Sequence, residues 1–569
     1  MSGSRHRNER PGQLNIFTET RVAYAAPVEL SARAFVEGST VPRDYQKRIA
    51  VSALRRSDSG DPVSTLVVLP TSAGKTLIAI MAADHKLPEG RVIFVAHTGP
   101  LVRQQAGEFK MHLDMPEGQI VTVIGDQTSP MQRLKIYDGN PSIIVGTSQV
   151  ISRDIERGAL QLAGTSLFIL DESHYAVKKH SHNYVAQAAR EEGIPILATT
   201  ASPGDNYERI MTVIENLGIN NVEIYSRGSK DISKYMPPVR YVTKEVELPP
   251  IFGHIRGRIM ELSGSVLREL GKDGMLIPLG IDAGKFANGA LSEGQIAKLM
   301  RFANLEKLKD YILDYRKDNG NSPAGTPYFM LSDAEKKAAH ALSLHAELMF
   351  YYQLANVFET QSIATGVKWI ENIILAPKAG DKTFKARIRA NVKFMKMYKY
   401  LRDNADEIDE HPKMQLFKDT LAQYPDTRFI VFTKLRDQAA LLKTVAESVG
   451  VSASLLTGKR SGSTTGKAQQ KAIDDFTQGK TRLLISTSAG REGLDISEAG
   501  VINYDQESTA IASIQRKGRT GRNTEGLVVD FVTIGTADEF ASYRAARARR
   551  IMETALANIK TDFEMAKRE

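Results

Sequence analysis

The stretch Leu66-Val67-Val68-Leu69-Pro70-Thr71-Ser72-Ala73-Gly74-Lys75-Thr76 constrains this chain most. Four apolar residues in a row read as a strand buried on both faces, the kind a parallel sheet uses. Pro70 and three small residues end the strand. Gly-Lys-Thr then opens a helical pattern whose apolar positions are Leu77, Ile78, Ile80 and Met81. A strand, a small-residue turn and a helix N-terminus make a phosphate site. Backbone N–H groups and the helix dipole hold the anion, Lys75 adds a point charge, and the Thr76 hydroxyl can ligate Mg²⁺. The G-x-x-x-x-G-K-[ST] pattern is incomplete, because Leu69 stands where its first glycine belongs.

A chain of 569 residues has room for three or four domains. No apolar run approaches the ~18–20 residues of a membrane span, and the polar, Arg-rich start lacks the apolar core of a secretory signal. There are no cysteines, which excludes disulfides and thiolate metal sites. This composition fits an intracellular protein, cytoplasmic or nucleoid-associated. The net charge of +9 suits a polyanion partner.

In chain order, residues 1–40 read as a flexible tail with one apolar island, Gln13-Leu14-Asn15-Ile16-Phe17. Between 41 and 228, apolar strands at 66–69, 92–96, 120–124, 143–146, 167–170 and 194–198 alternate with helical stretches, which predicts a parallel sheet covered on both faces. From 229 to 405 helical periods dominate, as an inserted helical domain. From 406 to 569 the alternation returns, with strands at 429–432, 452–456, 483–486, 501–504 and 527–532 and an arginine-rich helical tail. The expected fold is α/β: two parallel-sheet domains with a helical domain between them.

A second constellation, Asp171-Glu172-Ser173-His174, ends the strand 167–170. Side chains alternate along a strand, so one carboxylate can face a metal and the next a water. Asp171 would hold Mg²⁺ on a triphosphate, and Glu172 would orient or deprotonate the attacking water. Thr200-Ala201-Ser202 follows the next strand and could sense the phosphate state. In the last domain, Gly493 and Asp495 lie in a turn after a strand, and Gln515-Arg516-Lys517-Gly518-Arg519-Thr520-Gly521-Arg522 interleaves cations with glycines. Arg519 and Arg522 are spaced i, i+3 and can face one site, as arginines that neutralise a triphosphate in transition do.

This ordered set resembles the superfamily 2 helicases over residues 41–560. Within them it most resembles the archaeal Hef helicase and the Fanconi anaemia M translocases. The residues behind that are Pro42-Arg43-Asp44-Tyr45-Gln46, Leu69-Pro70-Thr71, Ala201-Ser202-Pro203-Gly204, Asn216-Leu217-Gly218, Glu359-Thr360-Gln361, His411-Pro412-Lys413-Met414 and Ser513-Ile514-Gln515-Arg516. The likeness is to the helicase part, with no nuclease domain expected.

The resemblance implies two RecA-like domains closing on ATP and Mg²⁺. Gln46 would read adenine, and Thr71, Ser72, Ala73, Gly74, Lys75 and Thr76 would bind the phosphates and metal. Asp171 and Glu172 would be catalytic, and Thr200 and Ser202 would couple hydrolysis to motion. Gly493 and Asp495 would meet the ribose side, and Gln515, Arg519 and Arg522 would complete the site. It further implies translocation with 3′-to-5′ polarity on forked or branched DNA, along a single-stranded track. An RNA-stimulated ATPase of the Dicer or antiviral-sensor type shares the architecture and is the alternative. A scaffold on a dead ATPase conflicts with the intact Lys75, Asp171 and Glu172. Four departures stand out: Ser72-Ala73 for Gly-Leu, Ser173 in the Asp-Glu-x-His box, His97-Thr98-Gly99-Pro100 for Pro-Thr-x-Pro, and Arg491 where an acid is usual.

Two further features point to partners. Residues 13–17 look like the short Gln-Leu-x-aliphatic-Phe peptides that dock into sliding clamps. Between Lys382 and Lys399 stand seven basic residues and no acid. Lys385, Arg389 and Lys393 share one predicted helical face, a candidate nucleic-acid contact.

Overall fold

The computed structural model describes residues 40–56, 63–177, 180–276, 293–320, 322–323, 326–375, 383–405, 410–457, 466–487, 500–518 and 525–566, with 30, 36, 279, 408 and 520 singly. Two parallel sheets organise it. The first contains β1 (Thr65–Val68), β2 (Arg91–Ala96), β3 (Ile120–Val123), β4 (Ile143–Thr147), β5 (Thr165–Leu170), β6 (Ile196–Thr200) and β7 (Asn221–Ile224), in the order β3-β4-β2-β5-β6-β1-β7. Its central strands are apolar on both faces because helices cover both. Leu66, Val68, Ile93 and Phe168 point into one buried cluster, and Val67, Val92, Phe94 and Ile169 into the other.

The order matters for chemistry. β5, β6 and β1 are neighbours, paired Ile169 to Leu197 and Val68 to Thr200. The Asp-Glu box, the Thr-Ala-Ser turn and the phosphate loop follow these three strands, so all three emerge at one edge. That carboxyl edge is where open α/β sheets bind ligands.

The second sheet contains β8 (Val239–Val246), β9 (Phe429–Phe432), β10 (Ala453–Leu456), β11 (Leu483–Ser486), β12 (Gly500–Asn503) and β13 (Gly526–Thr533), ordered β10-β11-β9-β12-β13-β8. β8 falls inside the stretch read as helical. It pairs in parallel along the whole of β13, from Val239–Gly526 to Val246–Thr533. The helices from Pro250 to Asp403 are therefore bracketed by two strands of the same sheet.

Those helices share a core of their own. The helix Asp333–Thr360 runs through its middle, packed by Leu344, Leu348, Tyr351 and Leu354 against Leu267, Leu305, Leu308, Ile370 and Phe394. Its N-terminus carries a capping box, with the Ser332 hydroxyl accepting from the Glu335 N–H and Glu335 accepting from the Ser332 N–H. The last helix, Ala537–Ala566, spans roughly 45 Å. It starts on the second α/β domain, and its far half buries Met552, Leu556, Ile559 and Phe563 in the core of the first.

Candidate active site

The phosphate loop is shaped by two left-handed residues, Ser72 (φ 70°) and Gly74 (φ 75°). Gly74 serves that conformation without cost, while Ser72 stands there at roughly 1–2 kcal/mol. This explains why the family pattern prefers glycine where this chain has Ser72. A Cβ on Gly74 would lie 2.1 Å from Nε2 of Gln46, so the glycine also admits the first helix against the loop. Gln46 accepts from the Arg43 N–H at 2.8 Å and donates to the Ala73 carbonyl at 3.2 Å. Tyr45 Oη donates to the same carbonyl at 2.7 Å. One end of the Gln46 amide thus braces the loop through Ala73, and the other closes the N-terminus of its own helix on Arg43. Lys75 opens the helix Lys75–Lys86 and curls over the loop, its Nζ 3.4 Å from the Leu69 carbonyl.

Asp171 and Glu172 follow β5 at the edge facing this loop. Asp171 is buried and accepts from Thr199 Oγ1 at 2.8 Å. Burial, then the neighbouring Glu172, push its carboxyl up to about 6, against the opposing pull of Lys75 and the Thr199 hydroxyl. Its carbonyl accepts from Nε2 of His182, which burial pushes down to about 3 and so keeps neutral. Glu172 is itself left-handed, at φ 51°, a conformation that costs a non-glycine residue free energy and clusters at functional sites. It aims one carboxylate oxygen at Nδ1 of His174, 3.1 Å away. The same Nδ1 lies 3.4 Å from Thr200 Oγ1, which accepts from the Ser202 N–H at 3.2 Å. The Asp-Glu box and the Thr-Ala-Ser turn are therefore joined through His174, a residue given no role in the reading of the sequence.

The His97 departure also has a structural use. Its ring stacks on Tyr175 at 3.8 Å, and Tyr175 stacks on His180 at 5.4 Å. The loop after β2 is thereby fixed to the turn that carries Glu172.

Across the cleft, the helix Ala510–Lys517 carries Gln515, which is buried. Arg516 is fully buried over the Phe432 ring, donating to the Asp505 carbonyl at 2.7 Å and pairing with Glu507 at 2.5 Å. Gly518 ends that helix against the phosphate loop; a Cβ there would meet Thr71 Oγ1 at 2.0 Å. The two α/β domains thus touch at the phosphate loop itself. Gly493, Asp495, Arg519 and Arg522 lie outside the described residues, as does the peptide at 13–17.

A polar group that sequence reasoning missed sits behind Arg516. Lys413 Nζ, wholly buried, pairs with Asp538 and donates to the Tyr504 carbonyl at 2.8 Å. Asp505 accepts from Thr433 Oγ1 at 2.7 Å, the Lys434 N–H at 2.6 Å and Gln361 Nε2 at 2.5 Å. Burial raises the Asp505 carboxyl, but Lys413, Lys434 and these hydrogen bonds outweigh it and hold it below the ordinary range. The family-matching stretches 359–361 and 411–414 were the available signal; only the fold joins them.

The basic stripe is not one helical face. Asn391 caps a new helix, accepting from the Lys393 and Phe394 N–H groups, so the run breaks into Thr383–Ala390 and Val392–Asp403. The break shifts the phase, leaving Val392 exposed instead of packed. Arg389 donates to the Ile374 carbonyl at 2.8 Å, and Lys393 pairs with Glu261 at 2.6 Å.

Comparison with known proteins matches this geometry. Residues 43–210 match the DEAD/DEAH box helicase family and residues 412–524 the helicase conserved C-terminal domain. These two matches, on the first and the last α/β domain, liken the chain to the superfamily 2 helicases, with their two RecA-like domains. Within that class it is Hef-like. The Pyrococcus furiosus Hef helicase domain superposes with a TM-score of 0.59 at 28% identity, covering 88% of this chain and 98% of that one. A Methanocaldococcus jannaschii protein named as an ATP-dependent RNA helicase is 28% identical over 89% of this chain and 59% of its own length. The Schizosaccharomyces pombe ATP-dependent DNA helicase fml1 is 27% identical over 90% of this chain and 59% of its own. The Arabidopsis thaliana DEAD-box ATP-dependent RNA helicase FANCM is 26% identical over 91% of this chain and 36% of its own. The chain thus spans 36–59% of the length of these three full-length relatives.

Proposed function

We propose that this chain is an ATP-driven DNA translocase that remodels forked or branched DNA, as replication-fork repair and recombination require. The observation that carries this reading is the contact path from Glu172 through His174 to Thr200 and Ser202, beside a cleft where Gly518 meets Thr71. A change at the water-activating carboxylate is transmitted to a turn of the same sheet edge. Closure and opening of the two domains then ratchet the protein along a strand. The +9 charge and the DNA-helicase relatives support DNA as the track.

Mg²⁺ fits the site, because Asp171 is a carboxyl pushed up first by burial and then by Glu172 beside it, and a divalent cation would relieve both. Asp171 and the Thr76 hydroxyl would hold the ion, which would neutralise phosphate oxygens. Thr199 orients Asp171, Lys75 takes a phosphate oxygen, and Glu172 takes the proton of the attacking water. Gln46 on the adenine, Gly493 and Asp495 on the ribose side, and Gln515, Arg519 and Arg522 on the phosphates complete the proposed assignment.

The test is steady-state ATP hydrolysis with single-stranded, duplex and forked DNA and with single-stranded and duplex RNA. Forked DNA should stimulate most. Stimulation by RNA above every DNA would replace this reading with the RNA-stimulated one, which the names of two relatives favour. No stimulation by any of them would overturn both.

Two partner contacts belong to the same proposal. Lys385, Arg389 and Lys393 would meet a second duplex arm; the Lys393–Glu261 pair is exposed and can be exchanged for phosphate at little cost. Changing all three to Gln should weaken fork binding more than single-strand binding and lower its salt slope by about one per lost contact. A parallel loss on both ligands would dismiss the branch contact. Residues 13–17 would dock into a sliding clamp, and deleting residues 1–20 should abolish co-elution with a clamp. Unchanged co-elution would remove that partner.

A further inference from the structure

Away from the ATP cleft, a cavity of about 430 Å³ opens where three parts of the chain meet. The helical region contributes Phe302, Tyr352 and Trp369. The loop after β9 contributes Lys434, and the helix Ala537–Ala566 contributes Arg544. The size is that of a small-molecule site, and junctions between domains are where such sites occur. Its chemistry is specific. Three aromatic rings line it, two cations stand beside them, and among the described residues none of those lining it is a carboxylate.

The rings are not all committed to a core. Phe302 begins its helix 45% exposed, 6.1 Å from the Tyr352 ring and tilted by 37°. Trp369 stacks on Phe350 at 5.3 Å and also lines the cavity. Lys434 and Ser508 follow β9 and β12, so the cavity lies at the carboxyl edge of the second sheet, the edge where open α/β sheets take ligands. One wall is wired to the ATP side. Gln361 lines the cavity and donates to Asp505, whose carbonyl holds Arg516, next to Gln515.

We propose that this cavity takes one unpaired nucleobase of the bound DNA strand, stacked among Phe302, Tyr352 and Trp369, with its flanking phosphates on Lys434 and Arg544. Aromatic faces bind any base, and cations beside them bind any phosphate, so the site is sequence-tolerant, as a translocase needs. It gives the helical region a grip on the strand within one short contact path of Arg516. The proposal rests on the reading of the chain as a nucleic-acid translocase.

Trp369 is the only tryptophan of the chain, so its emission reports on this cavity alone. The full chain is titrated with oligothymidylate, then with the same oligonucleotide carrying a single abasic position moved stepwise along it. Quenching by the intact strand that is lost at one abasic position, while binding through the other positions persists, is the expected result. Phe302→Ala should weaken single-strand binding by about 5- to 100-fold, and Arg544→Gln should reduce its salt slope by about 0.7. A circular dichroism melt of each variant checks that the fold is kept; the wild-type abasic scan needs no variant at all. Strand binding and stimulated hydrolysis with unchanged Trp369 emission would overturn the subsite and leave the translocase reading standing. Quenching that no abasic position alters, or quenching by ATP without DNA, would also overturn the subsite. Absence of any nucleic-acid binding would overturn the translocase reading and the subsite with it.

Discussion

In the proposed mechanism Glu172 is the residue on which the chemistry turns. Its left-handed backbone is held by its surroundings: Asp171, just past β5, is anchored to β2 through its N–H to the Val95 carbonyl, and the Glu172 carboxylate lies against Nδ1 of His174. The neighbouring carboxyls have different environments. Asp171 is buried and hydrogen-bonded by Thr199, whereas Glu172 stands 19% exposed at the mouth of the site, where a water can reach it. That asymmetry supports the proposed division, Asp171 on the phosphate and cation side and Glu172 on the water. Glu172→Gln keeps size, turn and the approach to His174 but removes the base. ATP binding should persist while kcat falls by about 10²- to 10⁴-fold. Lys75→Ala should instead lose nucleotide affinity as well, because its contact is present in the ground state. Equilibrium binding of a labelled nucleotide beside single-turnover hydrolysis separates the two. A Glu172→Gln protein that turned over near the wild-type rate would assign the base elsewhere.

At the scale of elements, contiguous patterns were legible and distributed ones were not. The phosphate loop and the Asp-Glu box each sit within a dozen residues, after strands apolar enough to read as buried, and the structure finds both at one sheet edge. β8 was hidden because it is an edge strand of alternating, half-exposed residues, Val239-Arg240-Tyr241-Val242, with no apolar run. The basic stripe was misread as one helix because Asn391 is a weak breaker inside a helical period but a strong N-cap once its side chain meets the Lys393 and Phe394 N–H groups. The Lys413–Asp505–Gln361 group draws on residues from 361 to 538, each ordinary in its local context. The final helix read correctly as helical, but nothing local said that its far half leaves its own domain. That docking is testable. Ile559 is fully buried among first-domain residues, so Ile559→Ala should cost about 2–5 kcal/mol at that contact. The loss should appear as faster amide exchange over residues 550–566 and lower nucleic-acid-stimulated kcat, with nucleotide affinity kept. Unchanged exchange there would mean that the helix does not tie the domains together in solution.

For the molecule as a whole, three ties set how the parts move. The helical region is joined to the second α/β domain by Gln361 on Asp505 and by Glu359, which accepts from the Ala537 N–H at 3.0 Å. The last helix joins that body to the first domain at Ile559. The third tie is the contact between Gly518 and Thr71, the one that opens and closes in the proposed cycle. Gly518 has φ −76° and ψ 3°, a backbone any residue adopts, so its lack of a side chain serves approach and not conformation. A methyl there would meet Thr71 Oγ1 at 2.0 Å and Thr71 Cβ at 2.5 Å. Gly518→Ala should therefore prop the cleft open at the phosphate loop. The groups contributed by the second domain would reach the nucleotide less often, so kcat should fall while ATP affinity, set mainly by the first domain, changes little. Thr71→Gly removes all three atoms that the methyl would meet, Oγ1, Cβ and Cγ2. If the clash is the cause, the double variant recovers part of what Gly518→Ala lost, a coupling that a double-mutant cycle on kcat reads directly. Additive losses would show that Gly518→Ala acts within its own domain and that the closed contact is not part of the cycle.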